Sequence, residues 1–590
     1  MPINVHTHVH NLAATFTDET LRTLLDRLLR EGYPDVLVDR VRDLLASVLD
    51  RTETAPQPEV LLHRWLRDTV NAPSVQTYLD SLAPSERVQF EVLGSALTEE
   101  IGLRAVAQVV DRVRTSLRDG AQEDARTKDL LDLVGFLHIV LQPSIRHVTR
   151  RLMDQQPDDG MVVALTLDIT EGGDADRARY EHQLRQTSEQ IFDYPGRFLP
   201  FVCVNTRRAD AFVLMERALV AQGYVGVKLY PSLGYTVDSQ AMRRVLAYCH
   251  ERDVPLLMHC SPGGFFRNPQ TIHLSAPEHW RPLLEAFPGL KVCFAHFGGA
   301  DNLVQDPLPS DSWTQTILDL MGEFDGVYTD ISYNDAPMAG GEREAHYFTH
   351  LERLLDDPVR RDRILFGTDY FLIRMRLRES SFWAYFEDRL SAEAFERITD
   401  ANPRRFLGLS ARPDRLSWAL DHHVRFVADN SERCAARPAP WLAQAIEDRF
   451  GDVTFTVSDL GPRWSRNNQA HWHLYWFLRD NEMRLDHRPP FEEAGSLRLR
   501  TLKYWTKEHD PASLFAAHRR AFAERIDMQL TTWGATYEAE YDRAQARSAL
   551  DVFLDDGQHR VVDLGALCDR LYLFQQEQAQ RFPSPPPDAS

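Results

Sequence analysis

The chain has 590 residues, and this length predicts two to four domain-sized units, enough for a barrel with additions. Hydrophobic residues make up 43% of the chain and charged residues 26%, as is typical of a soluble globular protein. The 67 Lys and Arg residues against 87 Asp and Glu residues give a net charge of −20, and this acidic balance argues against nucleic-acid binding.

Cysteine content and the length of apolar runs bear on the cellular location of the protein. Six cysteines without a C-x-x-C pair are too few for a disulfide framework, so we expect buried, reduced thiols. The longest apolar stretch, Leu130–Leu141, is interrupted by Asp132 and His138 and is too short to span a bilayer. The polar start of the chain does not resemble a signal peptide. We therefore expect a cytoplasmic protein with no membrane association.

Eight short apolar runs predict parallel strands that are buried on both faces. In chain order they are Ile3–Val5, Val162–Leu167, Leu199–Val204, Val225–Leu229, Pro255–Met258, Val292–Ala295, Val327–Ile331 and Ile364–Phe366. Helical segments such as 209–221 and 238–251 lie between them. This alternation predicts the α/β class, as a (β/α)8 TIM barrel formed by residues 1–11 and 159–412.

Two regions depart from the alternation. Residues 12–158 separate the first two strands and carry leucine and valine stripes at helical spacing, which predicts a large helical insertion. The insertion leaves the barrel at its catalytic end, so it is a candidate lid or interface; scaffolding away from the site is the alternative. Residues 413–575 predict a mostly helical C-terminal region, and the Pro-rich residues 576–590 predict a disordered tail.

Metal-ligating side chains recur at the carboxyl ends of the predicted strands. They are His6 and His8 at strand one, Lys228 at strand four, His259 at strand five, His296 at strand six and Asp369 at strand eight. The intervals are 31 residues from 228 to 259, 37 from 259 to 296 and 73 from 296 to 369. A βα unit of a barrel takes about 30 residues, so one strand is skipped before the aspartate. Histidine and carboxylate ligands suit a divalent metal such as zinc.

The first two of these ligands share one face. His6 and His8 flank Thr7, and alternate side chains of a strand point the same way, so both imidazoles are expected to face the barrel mouth. An H-x-H pair alone is a weak signal in a chain with 22 histidines. The joint pattern is much stronger, because several sites at strand ends must coincide in the right order.

The order of these motifs resembles the amidohydrolase superfamily, most closely its amidohydrolase-related branch of metal-dependent barrel hydrolases and decarboxylases. The resemblance rests on His6-Thr7-His8, Lys228, His259, His296, Gly367-Thr368-Asp369 and the closing segment 402–408. It covers residues 1–11 and roughly 160–410, and it implies nothing about the helical insertion or the C-terminal region.

The resemblance implies roles for the ligand set. His6, His8, His259 and Asp369 bind a divalent metal, usually zinc, as one or two ions. His296 is either a ligand of a second metal or a proton donor and acceptor beside the metal-bound water. Metal coordination lowers the pKa of bound water to about 7, and Asp369 is expected to take its proton as a general base.

Lys228 leaves the metal count open. In dihydroorotase-like members the lysine of strand four is carbamylated and bridges two metals. An unmodified ammonium cannot ligate a cation, and in that case Lys228 is expected to hold a carboxylate of the substrate. The sequence favours this second interpretation and one metal. Tyr230, Arg207 and Arg374 are further candidates for substrate binding, because arginine grips a carboxylate through two hydrogen bonds.

Three functions are compatible with the sequence. The first is a metal-dependent hydrolase that cleaves an amide, lactone or ester bond of a small anionic molecule. The second is a non-oxidative decarboxylase on the same fold, and the third is a non-catalytic barrel that acts as a protein-interaction module. We expect a small-molecule substrate, no nucleic acid and no membrane partner, and either homo-oligomers or a protein partner bound through the helical additions.

Overall fold

The computed structural model describes residues 1–15, 38–39, 41–43, 45, 139–140, 142, 144–157, 159–169, 174–299, 302–333, 336–338, 340–376, 379–410 and 412–455. The chain divides into two compact units, residues 1–32 with 132–457 and residues 33–131 with 458–590. In the second unit, residues 38–39, 41–43 and 45 are helical, and Val38, Val41 and Leu45 are buried. The barrel and the candidate site belong to the first unit.

Eight parallel strands form one sheet in chain order, each paired with the next. They are β1 Ile3–His8, β2 Met161–Leu165, β3 Phe198–Val204, β4 Gly226–Leu229, β5 Leu256–Met258, β6 Val292–Phe294, β7 Val327–Asp330 and β8 Ile364–Leu365. All of their residues are buried, because the strands carry side chains into the barrel and under the surrounding helices. Each predicted strand overlaps an observed one, and the TIM barrel is confirmed.

Hydrogen bonds close the barrel between its last and first strands. The Val5 N–H donates to the Phe366 carbonyl at 2.9 Å, and the Asp369 N–H donates to the His6 carbonyl at 2.8 Å. Gly367 allows this approach, since a Cβ at this position would lie 2.7 Å from the His6 Cβ and 3.1 Å from the Ser332 Cβ. The ends of β1, β7 and β8 are thereby brought together.

Helices follow the strands and surround the sheet. Their bounds are α1 Leu12–Thr15, α2 Ile145–Met153, α3 Asp174–Asp193, α4 Ala211–Ala221, α5 Gln240–Glu251, α6 Arg281–Ala286, α7 Trp313–Glu323, α8 Gly341–Asp356, α9 Tyr370–Arg376, α10 Glu379–Glu387, α11 Ala392–Glu396, α12 Asn402–Leu407, α13 Trp418–Asp429 and α14 Pro440–Phe450. The predicted helices at 209–221 and 238–251 correspond to α4 and α5. Among the described residues, no helix has the length and apolar character needed to cross a membrane.

Parts of both additions pack in the same unit as the barrel. Helix α2, from the predicted insertion, buries Ile145, Val148 and Leu152, which lie at the spacing of one helix face. Helix α13, from the predicted C-terminal region, packs against α4. Most of residues 12–158, the chain after 455 and the predicted tail at 576–590 lie outside the described residues, so the lid interpretation stays a prediction.

Candidate metal centre

Three of the predicted ligands meet at the closure of the barrel. One ligand atom from each of His6, His8 and Asp369 can be chosen so that all three lie within 4.8 Å of one another, and all three residues are buried. The two histidines come from β1, whose register with β2 shifts between Asn4 and Thr7. Asp369 arrives from the turn after β8. Side chains that are remote in sequence therefore converge where His6-Thr7-His8 and Gly367-Thr368-Asp369 pair.

Asp330, the last residue of β7, joins this site although the sequence interpretation skipped that strand. It forms a second group with His6 and His296, again with ligand atoms within 4.8 Å of one another. Its Oδ1 accepts the backbone N–H groups of His296 and Ser332, both at 3.0 Å. Burial alone would raise the pKa of Asp330, but the charge of His6 and its hydrogen bond hold that pKa below the usual range. Asp330 is therefore a buried carboxylate.

The Asp330 carboxylate fixes the tautomer of His6. The Oδ2 atom lies 2.9 Å from the His6 Nδ1 atom, and a carboxylate can only accept, so the His6 Nδ1–H must donate. The other ring nitrogen, Nε2, is buried without a hydrogen-bond partner. A carboxylate behind a histidine is the usual arrangement for a metal-binding imidazole. When its ring is neutral, His6 offers an uncommitted lone pair at Nε2.

His259 and His296 form a second pair of nitrogen donors. The His259 Nε2 lies 3.0 Å from the Gly263 carbonyl, and the His296 Nδ1 lies 3.1 Å from the Ser332 carbonyl. Carbonyls accept only, so these two nitrogens carry the protons. Burial lowers the pKa of His296 to about 3 and that of His259 well below its ordinary value, so both rings are neutral.

The remaining nitrogens of these two rings therefore face each other as lone pairs. The His259 Nδ1 lies 3.2 Å from the His296 Nε2. Two zinc ligands at about 2.05 Å and a tetrahedral angle are about 3.3 Å apart. The pair thus fits a shared cation. His259 is in neither three-residue group, so the described residues bring His6, His8 and Asp369 together, whereas His259 lies against His296.

Lys228 lies in β4 and is fully buried. Its Nζ atom has no hydrogen-bond partner and lies 5.6 Å from the centre of the Tyr230 ring. Burial lowers the pKa of Lys228, while the charges of Asp369 and Asp330 oppose that shift. An unpartnered buried amine is costly, so Nζ is a position where a ligand or a covalent modification would restore hydrogen bonding.

The other atoms of the site also suit a cation. The His8 Nδ1 is buried without a hydrogen-bond partner, and burial, followed by the charge of Lys228, lowers the pKa of His8 well below its ordinary value. Burial raises the pKa of Asp369, and the charges of His6 and Lys228 oppose the rise. Neutral imidazoles with an aspartate are a donor set that zinc prefers. The residues present therefore fit a divalent metal.

The predicted substrate-binding residues lie at different depths. The Tyr230 ring stacks on His259 with centroids 4.1 Å apart, and its hydroxyl oxygen accepts the Phe265 N–H at 2.7 Å. A Cβ at Gly264, which has φ +80°, would lie 2.6 Å from the His259 Cε1, so the loop after β5 closes tightly over this histidine. Arg207 is half-buried, and the side chain of Arg374, in α9, lies outside the described residues.

Comparison with known proteins agrees with this geometry. The family model described as Amidohydrolase matches residues 143–409. These residues, fewer than half of the chain, are similar to the amidohydrolase family. The match confirms the resemblance to the amidohydrolase superfamily found in the sequence, and together with the dihydroorotase relative it supports an enzyme of the metal-dependent hydrolase class.

The individual relatives are distant. A dihydroorotase from Nitrosomonas europaea is 26% identical over 283 residues, which cover 41% of this chain and 77% of the relative. An amidohydrolase structure from Burkholderia multivorans with bound zinc shares 16% identity, covers 46% of this chain and 91% of its own, and has a TM-score of 0.33. The structure of 4-oxalomesaconate hydratase from Rhodopseudomonas palustris shares 14% identity, with 73% and 99% covered and a TM-score of 0.33.

Proposed function

We propose that this protein hydrolyses an amide, lactone or ester bond of a small anionic molecule with water activated at a divalent metal centre in the barrel mouth. The observation that carries the proposal is the 3.2 Å separation of the His259 Nδ1 and the His296 Nε2, two nitrogens whose opposite ring nitrogens lie against carbonyls. Without a cation this arrangement is repulsive, and the protein has oriented both rings by carbonyl acceptors to produce it.

Two cation positions are supported by the arrangement. His6, through Nε2, His8 and Asp369 would hold one ion. His259, through Nδ1, and His296, through Nε2, would contribute to a second. The sequence favoured a single metal with His296 as an acid or base, whereas the tautomers of this pair favour His296 as a ligand. The bound metal, most suitably zinc, supplies a water whose pKa is lowered to about 7.

The chain's own residues handle the proton and the substrate. Asp369 lies beside the donors of β1, and its proposed role is to take the proton of the attacking water and return it to the leaving group. Asp330 stays ionised and holds His6, so it is committed to orientation. Of the two arginines predicted to bind substrate, Arg207 is the one whose side chain the structure describes. We propose that it binds the anionic part of the substrate.

Lys228 has two proposed states, which differ in metal count. A carbamate on Nζ, formed from the neutral amine and carbon dioxide with release of a proton, would supply oxygens as further metal ligands. An unmodified amine would instead bind a carboxylate of the substrate. Purified protein incubated with ¹³C-labelled bicarbonate should show a protein-bound carbamate signal in the first state, and Lys228→Ala should abolish it. Absence of the signal in metal-loaded wild-type protein supports the second.

The function is tested by metal content and a substrate screen. Full-length protein purified without chelator should carry divalent metal, and its removal should abolish hydrolysis until the metal is restored. The dihydroorotase relative makes dihydroorotate the first compound to test, followed by lactones and N-acyl amino acids. Metal-free protein with full hydrolytic activity would contradict the proposal. Release of carbon dioxide from aromatic carboxylates without hydrolysis would favour the decarboxylase alternative instead.

A further inference from the structure

A buried carboxylate lies behind the turn that presents Asp369. Glu379, the first residue of α10, is fully buried. Its Oε1 atom accepts hydrogen bonds from the Asn4 Nδ2 at 2.7 Å, the Thr368 Oγ1 at 2.8 Å and the Gln156 Nε2 at 3.0 Å. Three neutral donors from separate segments therefore converge on one carboxylate oxygen.

Two of these donors belong to the segments that carry metal ligands. Thr368 directly precedes Asp369, and Asn4 lies two residues before His6. The Asn4 Oδ1 accepts the backbone N–H groups of both Thr368 and His6 at 3.2 Å. The Asn4 Nδ2 also donates to the Thr368 Oγ1 at 2.8 Å. Glu379 thus holds Asn4 and Thr368, and Asn4 in turn joins the two ligand-bearing strands.

The turn that these contacts hold is strained. Asp369 has φ +52°, in the left-handed region that a residue with a Cβ adopts at a cost. Such a conformation persists where the surrounding structure over-determines it. Here the Asp369 N–H donates to the His6 carbonyl at 2.8 Å, and the Thr368 N–H and hydroxyl are held by Asn4 and Glu379.

We propose that Glu379 is a positioning residue for the metal site, acting through Thr368 and Asn4 to hold Asp369 and His6 in register. The proposal rests on the proposed metal-dependent function, since the register matters to a cation. Asn4, Thr368 and Gln156 all donate to the same Glu379 oxygen, so a change at this side chain alters three hydrogen bonds at once. Loss of such outer contacts typically weakens metal binding 10–100-fold.

Metal affinity and a spectroscopic signature test the proposal in the full chain. Co²⁺ is titrated into metal-free wild type, Glu379→Gln and Thr368→Val, against a competing chelator and with visible absorption recorded. Both variants should raise the Kd for Co²⁺ by about 10–100-fold and alter the absorption of the bound ion. Thr368→Ser, which keeps the hydroxyl donor, should restore the wild-type Kd. Glu387→Gln, an exposed carboxylate on the same helix, is the matched control and should change neither value.

A measurement on metal-free protein separates this proposal from the proposed function. Hydrogen exchange of the peptide spanning residues 366–371 should rise at least tenfold in Glu379→Gln and Thr368→Val, while the peptide over β5 keeps its wild-type rate. If wild type binds no Co²⁺, the proposed function fails and the exchange result alone decides the positioning role. If Glu379→Gln does not fold, the Thr368→Val and Thr368→Ser pair decides it. Unchanged exchange together with wild-type Co²⁺ affinity in the folded variants would overturn the proposal, even if their melting temperatures fall.

Discussion

The Nδ1 atom of His259 lies 3.2 Å from the Nε2 atom of His296, and each ring donates its proton in another direction. Two lone pairs facing each other in a buried site are unfavourable without a cation, because the surrounding dielectric is low. The carbonyls of Gly263 and Ser332 set both tautomers. The backbone carbonyls of the loops after β5 and β7 therefore determine which nitrogen of each histidine is free to bind a cation.

The first prediction concerns this pair. His296→Asn should lower the metal content from about two ions per chain to about one, because one of the two nitrogen donors of the second position is removed. Elemental analysis of protein purified without chelator measures the change. His273→Asn, on an exposed histidine after β5, is the control and should keep the wild-type content. Equal metal content in both variants would show that His296 is not a ligand.

Asp330 provides the second prediction. Asp330→Asn keeps the side-chain shape but replaces one acceptor oxygen by a donor amide, and the oxygens of Asp330 face the His6 Nδ1–H and two backbone N–H groups. One of these donors loses its partner, at a cost of about 1–3 kcal/mol of unfolding free energy. Metal affinity should fall about 10–100-fold.

Denaturant unfolding and metal titration check both parts of the Asp330 prediction. Asp388→Asn, on an exposed carboxylate just after α10, serves as the control. A variant with wild-type metal affinity and only a lower unfolding free energy would show that Asp330 stabilises the fold without orienting His6.

The barrel and most of the candidate ligands could be predicted from the sequence because local patterns encode them. Short apolar runs mark the strands, and a histidine or aspartate at the end of a run lies at the catalytic mouth wherever the barrel closes. This local signal is carried by His6, His8, His259 and Asp369. Lys228 lies at the end of an apolar run in the same way.

The roles of Asp330 and Glu379 could not be predicted from the sequence because they depend on partners that are remote in the chain. The hydrogen bond of Asp330 with His6 spans 324 residues, and that of Glu379 with Asn4 spans 375. Spacing along the chain cannot show such pairs. A weak signal existed for Asp330, since it is a charged residue ending an apolar strand in the interval that was treated as skipped. The tautomers of His259 and His296 likewise depend on loop carbonyls, which no side-chain pattern encodes.

A third prediction concerns stability against pH. His423 in α13 is buried, its Nδ1 lies 2.6 Å from the Gly223 carbonyl, and burial lowers its pKa from 6.5 to about 4. The unfolded chain binds the proton more readily, so this contribution to stability is fully present above pH 6.5 and is lost as pH falls towards 4. At about 1.4 kcal/mol per pH unit, the loss reaches about 3 kcal/mol over this window.

Denaturant unfolding of the full chain between pH 4.5 and 7 measures this effect. His423→Gln should be less stable at pH 7, because a packed ring is lost, yet its unfolding free energy should fall less steeply with acid than that of wild type. His273→Gln, at an exposed histidine, should keep the wild-type slope. Parallel slopes in His423→Gln and wild type would mean that His423 titrates normally in the folded protein.

Asp369 gives the most direct test of the chemistry. Asp369→Asn keeps an oxygen that can face the cation and keeps the backbone N–H that donates to the His6 carbonyl. The barrel and most of the metal should therefore be retained. The amide cannot take the proton of the attacking water, and general base catalysis contributes about 10²–10⁴-fold, so kcat should fall by at least that range. Metal content and kcat are measured on the same preparation, with the substrate found in the screen of dihydroorotate, lactones and N-acyl amino acids. If kcat stays within tenfold of wild type at equal metal content, Asp369 is not the general base.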